Sequence, residues 1–95
     1  MSVYVDALMR HGWVLHGRAT ASCHMYADDV DELHAMAARI GMKRAWFQEH
    51  DRLPHYDLTP SRRALAVANG AVEQTGRQLV RFMRERALVK GAPDA

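Results

Sequence analysis

Cysteine is almost missing from this chain. Cys23 stands alone in 95 residues, so no disulfide closes within it, and a cytoplasmic setting is expected. Long apolar runs are missing too: none approaches the roughly 20 residues that span a bilayer, so no membrane helix is expected. The stretch MSVYVDALMRHG has no basic start followed by an apolar segment, so no signal peptide is expected. Neither common Gly-rich phosphate loop is present, which argues against an ordinary nucleoside triphosphatase or dinucleotide fold. The HxH, CxxC and HExxH spacings are absent as well, so the sequence assigns no metal site, and it names no cofactor. There are no internal repeats and no low-complexity segments.

What remains has ordinary globular composition, with 48% hydrophobic and 25% charged residues. The length suits one domain over residues 1–90, with a frayed tail at 91–95. Such a chain buries about two-thirds of the surface its unfolded form exposes, so the core is modest. The net charge of +2 is unevenly spread. Residues 1–58 hold six Lys/Arg and eight Asp/Glu, whereas residues 59–95 hold seven and three. A basic second half suits an anion, a nucleic acid or an acidic partner surface, or simply a solvated helix face.

SVYVDAL (2–8) alternates and is β-branched or aromatic at its start, which predicts a strand with Asp6 near its end. Residues 9–20, with Gly12 and Gly17 and little periodicity, read as a loop. SCHMYA (22–27) reads as a second strand. Asp28 reads as a helix N-cap, with Val30, Leu33, Ala37 and Ile40 on one face and Gly41 as the stop. Trp46, Phe47 and Gln48 read as extended, and Trp46 is expected in the core. Thr59 as N-cap and Pro60 at the first helical position open a second helix that runs to Gly70. Residues 71–73 read as a brief strand. Thr75 with Gln78 forms a capping-box pattern before a last helix with Leu79, Val80, Phe82 and Met83 inside. The methionines are expected to be mostly core fillers. Strands alternating with helices predict an α/β fold: a small three- to four-stranded mixed sheet packed with about three helices.

VYVD (3–6), SCHMYADDVDELHAMAARIGM (22–42) and HYDLTPSRRALAVANGA (55–71) together resemble the bacterial and phage family known as domain of unknown function 4031. The resemblance covers about residues 1–75 and implies kinship of fold, with no activity attached. The loop at 9–21 is longer than in the family's shorter members, and the basic C-terminal helix lies beyond the strongest likeness.

The polar residues that invite chemistry fall in two groups. In LPHYDLTPSRRA (53–64), His55 and Asp57 lie two apart, so an extended backbone puts both on one side and Tyr56 on the other. An imidazole oriented by a carboxylate is a general acid–base arrangement, and the alternative is a turn in which Asp57 caps the coming helix. Arg62 and Arg63 follow in the first helical turn, where a cation opposes the helix dipole and an anionic ligand removes the conflict. The second group is Asp6, His24 and Tyr26, which share a face if the first two strands pair. Cys23 neighbours His24 but points to the opposite face, and it reads as a small apolar core residue. His34 reads as a half-buried side chain at the helix–sheet seam. Asp6, His24, His34, His55 and Asp57 are ligand types for a metal, but nothing in their spacing joins them.

These groups lead to one principal expectation: a pocket for a phosphorylated small molecule, nucleotide-like, with Asp6, His24, His55 and Asp57 as the acid–base set and Arg44, Arg62 and Arg63 on the anion. If this is an enzyme, hydrolysis of a phosphoester or glycosidic bond is expected. The alternative is a non-catalytic regulatory or interaction module that binds protein or nucleic acid through Trp13 and the stripe Arg77, Arg81 and Arg84. A homo-oligomer fits either reading; a membrane partner fits neither.

Overall fold

The computed structural model describes residues 2–89, and at positions 11–13, 15 and 89 the backbone only. The elements run β1 (Val3–Val5), β2 (Met9–Leu15), β3 (Arg18–Ala27), α1 (Val30–Arg39), β4 (Tyr56–Leu58), α2 (Pro60–Ala68), β5 (Val72–Glu73) and α3 (Gly76–Val89), with a 3-10 turn at Arg44–Trp46. The fold is α/β as expected, with a five-stranded mixed sheet. The tail at 91–95 and the side chain of Trp13 lie outside the described residues.

The additional strand comes from the segment read as a loop. Residues 9–15 pair with β3 as a hairpin, and Leu15 opposite Arg18 leaves His16 and Gly17 as a two-residue turn. Both have positive φ, 53° and 77°, as a type I′ turn requires. The usual Asn-Gly signal is absent because histidine takes the first place.

β3 is the spine of the sheet. β1 pairs antiparallel with its residues 25–27, β2 with its residues 18–22, and β4 with its residues 23–25. β5 lies parallel to β1. Between β1 and β2 the register slips: Val5 faces Met25 and Met9 faces Ser22, so Asp6–Leu8 absorb one extra residue as a bulge.

One face of the sheet carries Val3, Val5, Cys23, Met25, Tyr56 and Leu58 against Leu33, Met36 and Ala37 of α1 and Ala66 of α2. Burying an aliphatic side chain of this kind contributes about 1.5–3 kcal/mol. On the other face Phe82 of α3 packs on Tyr4 and Tyr26 at ring separations of 5.4 and 5.0 Å. α3 thus covers one end of that face.

Helix ends follow side-chain chemistry. Thr59 accepts from the Arg62 N–H with Pro60 in the first turn, and Thr75 and Gln78 exchange the two bonds of a capping box. The α1 cap is Asp29 rather than Asp28, because the Asp28 carboxylate already accepts from Ser2 N–H and the Tyr4 hydroxyl. Three more expectations are corrected. Trp46 is 46% exposed, since the 3-10 turn lifts it off the core that an extended backbone would have given it. Val80 stands on the outer face of α3, and Met9 is exposed on the edge strand β2.

Candidate functional site

Register builds the site. Asp6, on the bulge, donates its backbone N–H to the His24 carbonyl, and His24 is the direct partner of Asp57 on β4. Asp6, His24 and Asp57 therefore form one row across three strands. His55, two residues before Asp57, falls on the same side. It is held there by paired backbone bonds with Gln48 across the loop 49–54.

Each ring is tied at Nδ1. His24 Nδ1 lies 2.8 Å from Asp6 Oδ2, and His55 Nδ1 lies 2.6 Å from the Leu53 carbonyl. The two rings meet edge to face at 4.9 Å. His55 Nε2 is 3.5 Å from Asp57 Oδ1, while Gln48 Nε2 donates to the other carboxylate oxygen. The cluster is open to solvent through His24 and Asp57, whose side chains are 43% and 36% exposed; His55 is 11% exposed. The hydrogen bond to Asp6 raises the His24 pKa above the ordinary imidazole value, against burial, which lowers it. Asp57 is held below the usual carboxylate value, chiefly by its bond with His55.

An unusual exchange fixes Asp6. In an antiparallel ladder the His24 N–H would go to the Asp6 carbonyl. Here it goes to the carboxylate oxygen Oδ1 at 2.6 Å, and the Asp6 carbonyl accepts from Arg63 Nε at 2.9 Å. Asp6 is nearly buried, so every one of these groups needs its partner.

The expected residues thus divide. Asp6, His24, His55 and Asp57 come together. Arg63 is a brace: besides holding Asp6 it pairs with Glu73 at 3.0 Å. Arg62 donates through one amino group to the Ile40 carbonyl at the end of α1, passing so close to Gly41 (φ 81°) that a Cβ there would stand 3.1 Å from it. Arg44 lies over the Phe47 ring at 5.3 Å, away from the four-residue cluster and next to His34, whose pKa is lowered first by burial and then by that charge. His34 sits at the helix–sheet seam, bonded through Nδ1 to the Tyr56 hydroxyl. Cys23 is buried and its thiol is pushed up to about 12 by burial, with Asp6 adding to the shift. Arg77, Arg81 and Arg84 are exposed on α3, with Arg81 pairing to Glu85.

Beside the cluster, sharing Asp57 and Gln48 with it, runs a cleft of about 1080 Å³. Trp46 and Phe47 form part of its lining, together with Thr59, Ser61 and Arg62 at the start of α2 and His16 and Thr20 of the hairpin. Sequence reasoning missed Gln48, the Leu53 carbonyl and His50, whose ring stands 6.2 Å from that of His55. Only the Gln48–His55 bridge brings them in, and no local pattern announces it.

A family model described as a protein of unknown function (DUF4031) matches residues 3–86, which carries the likeness through most of α3. Neither the curated proteins nor the solved structures contain a match.

Proposed function

The chain belongs to the DUF4031 family, and because that membership names no activity we propose from the site alone that this is a small hydrolytic domain acting on a phosphorylated, nucleotide-like molecule. The observation that carries the reading is the row Asp6–His24–Asp57 with His55, set at the rim of a cleft of ligand size. Both rings are engaged at Nδ1, His55 Nε2 lies beside the Asp57 carboxylate, and His24 is half exposed; such a set positions a water and receives its proton. In the cleft, Trp46 offers an exposed ring for a base or sugar to pack on. Thr59, Ser61 and Arg62 offer hydroxyl and guanidinium donors to a phosphate near the start of α2. In hydrolysis of a phosphoester the water oxygen bonds to phosphorus as the bond to the leaving oxygen breaks. One water proton passes to the cluster, and the leaving oxygen gains a proton from solvent.

The test is turnover of nucleoside mono-, di- and triphosphates and sugar phosphates, read as released phosphate and released base. Wild-type protein is expected to cleave a member of this panel, His55→Ala to lose at least 100-fold, and Arg62→Ala to raise KM. No turnover and no thermal shift across the panel at millimolar ligand refutes the reading.

A further inference from the structure

We propose that His24, His55 and Asp57 bind a divalent transition-metal ion, zinc or a cation of similar size and ligand preference, through two imidazole Nε2 atoms and one carboxylate oxygen. One ligand atom from each of the three lies within 4.8 Å of the others. One of these pairs already has the spacing of a coordination shell. Two ligand atoms bound to a tetrahedral zinc at about 2.0–2.1 Å stand about 3.4 Å apart. His55 Nε2 and Asp57 Oδ1 stand 3.5 Å apart.

The hydrogen bonds fix which atoms are on offer. A backbone carbonyl only accepts, so the Leu53 carbonyl places a proton on His55 Nδ1. The Asp6 carboxylate does the same for His24 Nδ1. Each neutral ring then presents a lone pair at Nε2. In that neutral state His55 Nε2 and Asp57 Oδ1 face each other as two acceptors, across the position a proton fills when the ring is charged. A cation at that point resolves the conflict.

Outer partners complete the pattern. His24 leans on a carboxylate, His55 on a carbonyl, and Asp57 on the Gln48 amide. This is the support that orients metal ligands and raises their basicity. The charge also fits. Asp6 and Asp57 bring two negative charges, and among the described residues neither carboxylate is ion-paired to a lysine or arginine. Arg63, the nearest candidate, is spent on the Asp6 carbonyl and Glu73.

Two nitrogens and one oxygen favour a borderline ion over magnesium or calcium, which take oxygen shells. Three protein ligands leave a position for water, as in catalytic rather than structural zinc sites. The role of that water rests on the hydrolytic reading above; the binding of the ion does not.

The test titrates Zn²⁺, and separately Mg²⁺, into the chelator-stripped 95-residue chain by calorimetry, with metal content measured after dialysis. One zinc per chain is expected, with an affinity that falls at least 10-fold in His24→Ala and in His55→Ala, and much weaker binding of Mg²⁺. Unfolding curves accompany each variant. His24, being half exposed, is the substitution that leaves the core intact if His55→Ala fails to fold. Absence of zinc binding, or a folded His24→Ala that titrates like wild type, overturns the metal site. Hydrolysis that survives chelation in a protein without zinc binding overturns it too, while leaving the functional reading standing. Zinc bound at the three residues with the substrate panel silent supports the site and removes only the hydrolytic reading.

Discussion

Replacing Asp6 by asparagine exchanges one carboxylate oxygen for an amino group in a side chain that makes two fixed contacts. The His24 backbone N–H can only donate, so the amide oxygen must face it, as Oδ1 does now at 2.6 Å. The amino group is then left opposite His24 Nδ1, where Oδ2 stands at 2.8 Å. Both cannot donate, so the ring proton moves to Nε2 and the lone pair turns inward. Stability falls moderately, because a charge-assisted hydrogen bond of about 1.5–3 kcal/mol becomes a neutral one of about 0.5–1.5 kcal/mol. Solvent around the half-exposed ring trims that difference to about 1 kcal/mol, or about 4–8 °C in Tm for a domain of this size. The ligand atom, in contrast, is lost outright, and zinc affinity is expected to fall by about 10–100-fold.

The pH dependence of the metal-free Asp6→Asn variant follows from the same bond. Asp6 raises the His24 pKa in the folded state. The stabilisation is therefore complete below the unfolded imidazole value and is lost as pH rises through the folded one. The gap between wild type and variant is widest under mildly acidic conditions and closes on the alkaline side. Long-range nitrogen–proton NMR of the imidazoles reads the tautomer, and calorimetry reads the metal. A folded Asp6→Asn protein whose His24 keeps its proton on Nδ1 and binds zinc as wild type does refutes the reasoning.

Three further outcomes are expected. Tyr56→Phe removes the hydroxyl partner of His34 Nδ1 in a ring whose Nε2 already lacks a partner among the described residues, so denaturant melts are expected to show a loss of about 1–3 kcal/mol. Cys23, buried and with its thiol pushed up to about 12, is expected to resist maleimide in native protein at pH 8 and to react fully in denaturant, as mass spectrometry will show. His16→Asn supplies the residue that the first position of a type I′ turn prefers, so a rise in Tm is expected, whereas Gly17→Ala at φ 77° costs about 1 kcal/mol and lowers it.

Local rules were readable where one segment settles its own conformation. The two-residue spacing of His55 and Asp57 sends both to one side and Tyr56 into the core, and Thr59 with Pro60, like Thr75 with Gln78, marks a helix start by its own hydrogen bonds. Pairing β1 with the strand around His24 was enough to bring Asp6 to it. The hairpin was not readable, because His16-Gly17 is an uncommon turn pair and the β2 residues do not alternate cleanly. Trp46 went astray because a 3-10 turn and an extended segment expose opposite sides of the same three residues. The Leu53 tether, the Gln48 clamp and the brace from Arg63 depend on contacts across loops and between strands, and those follow from register rather than from spacing. Arg62 and Arg63 illustrate the limit: their place beside a helix start was correct, yet only the fold shows one gripping Ile40 and the other Asp6.

Beyond Ser22 toward its start, β3 has β2 as its paired neighbour, so the far wall of the cleft at His16 and Thr20 is a ribbon two strands wide. A lone pair of strands is marginally stable at best and bends at little cost. The opposite wall, at Thr59–Arg62, is anchored by a capped helix. On the function proposed above, discrimination between ligands belongs to that fixed side, while the ribbon adjusts to the thickness of whatever lies against it.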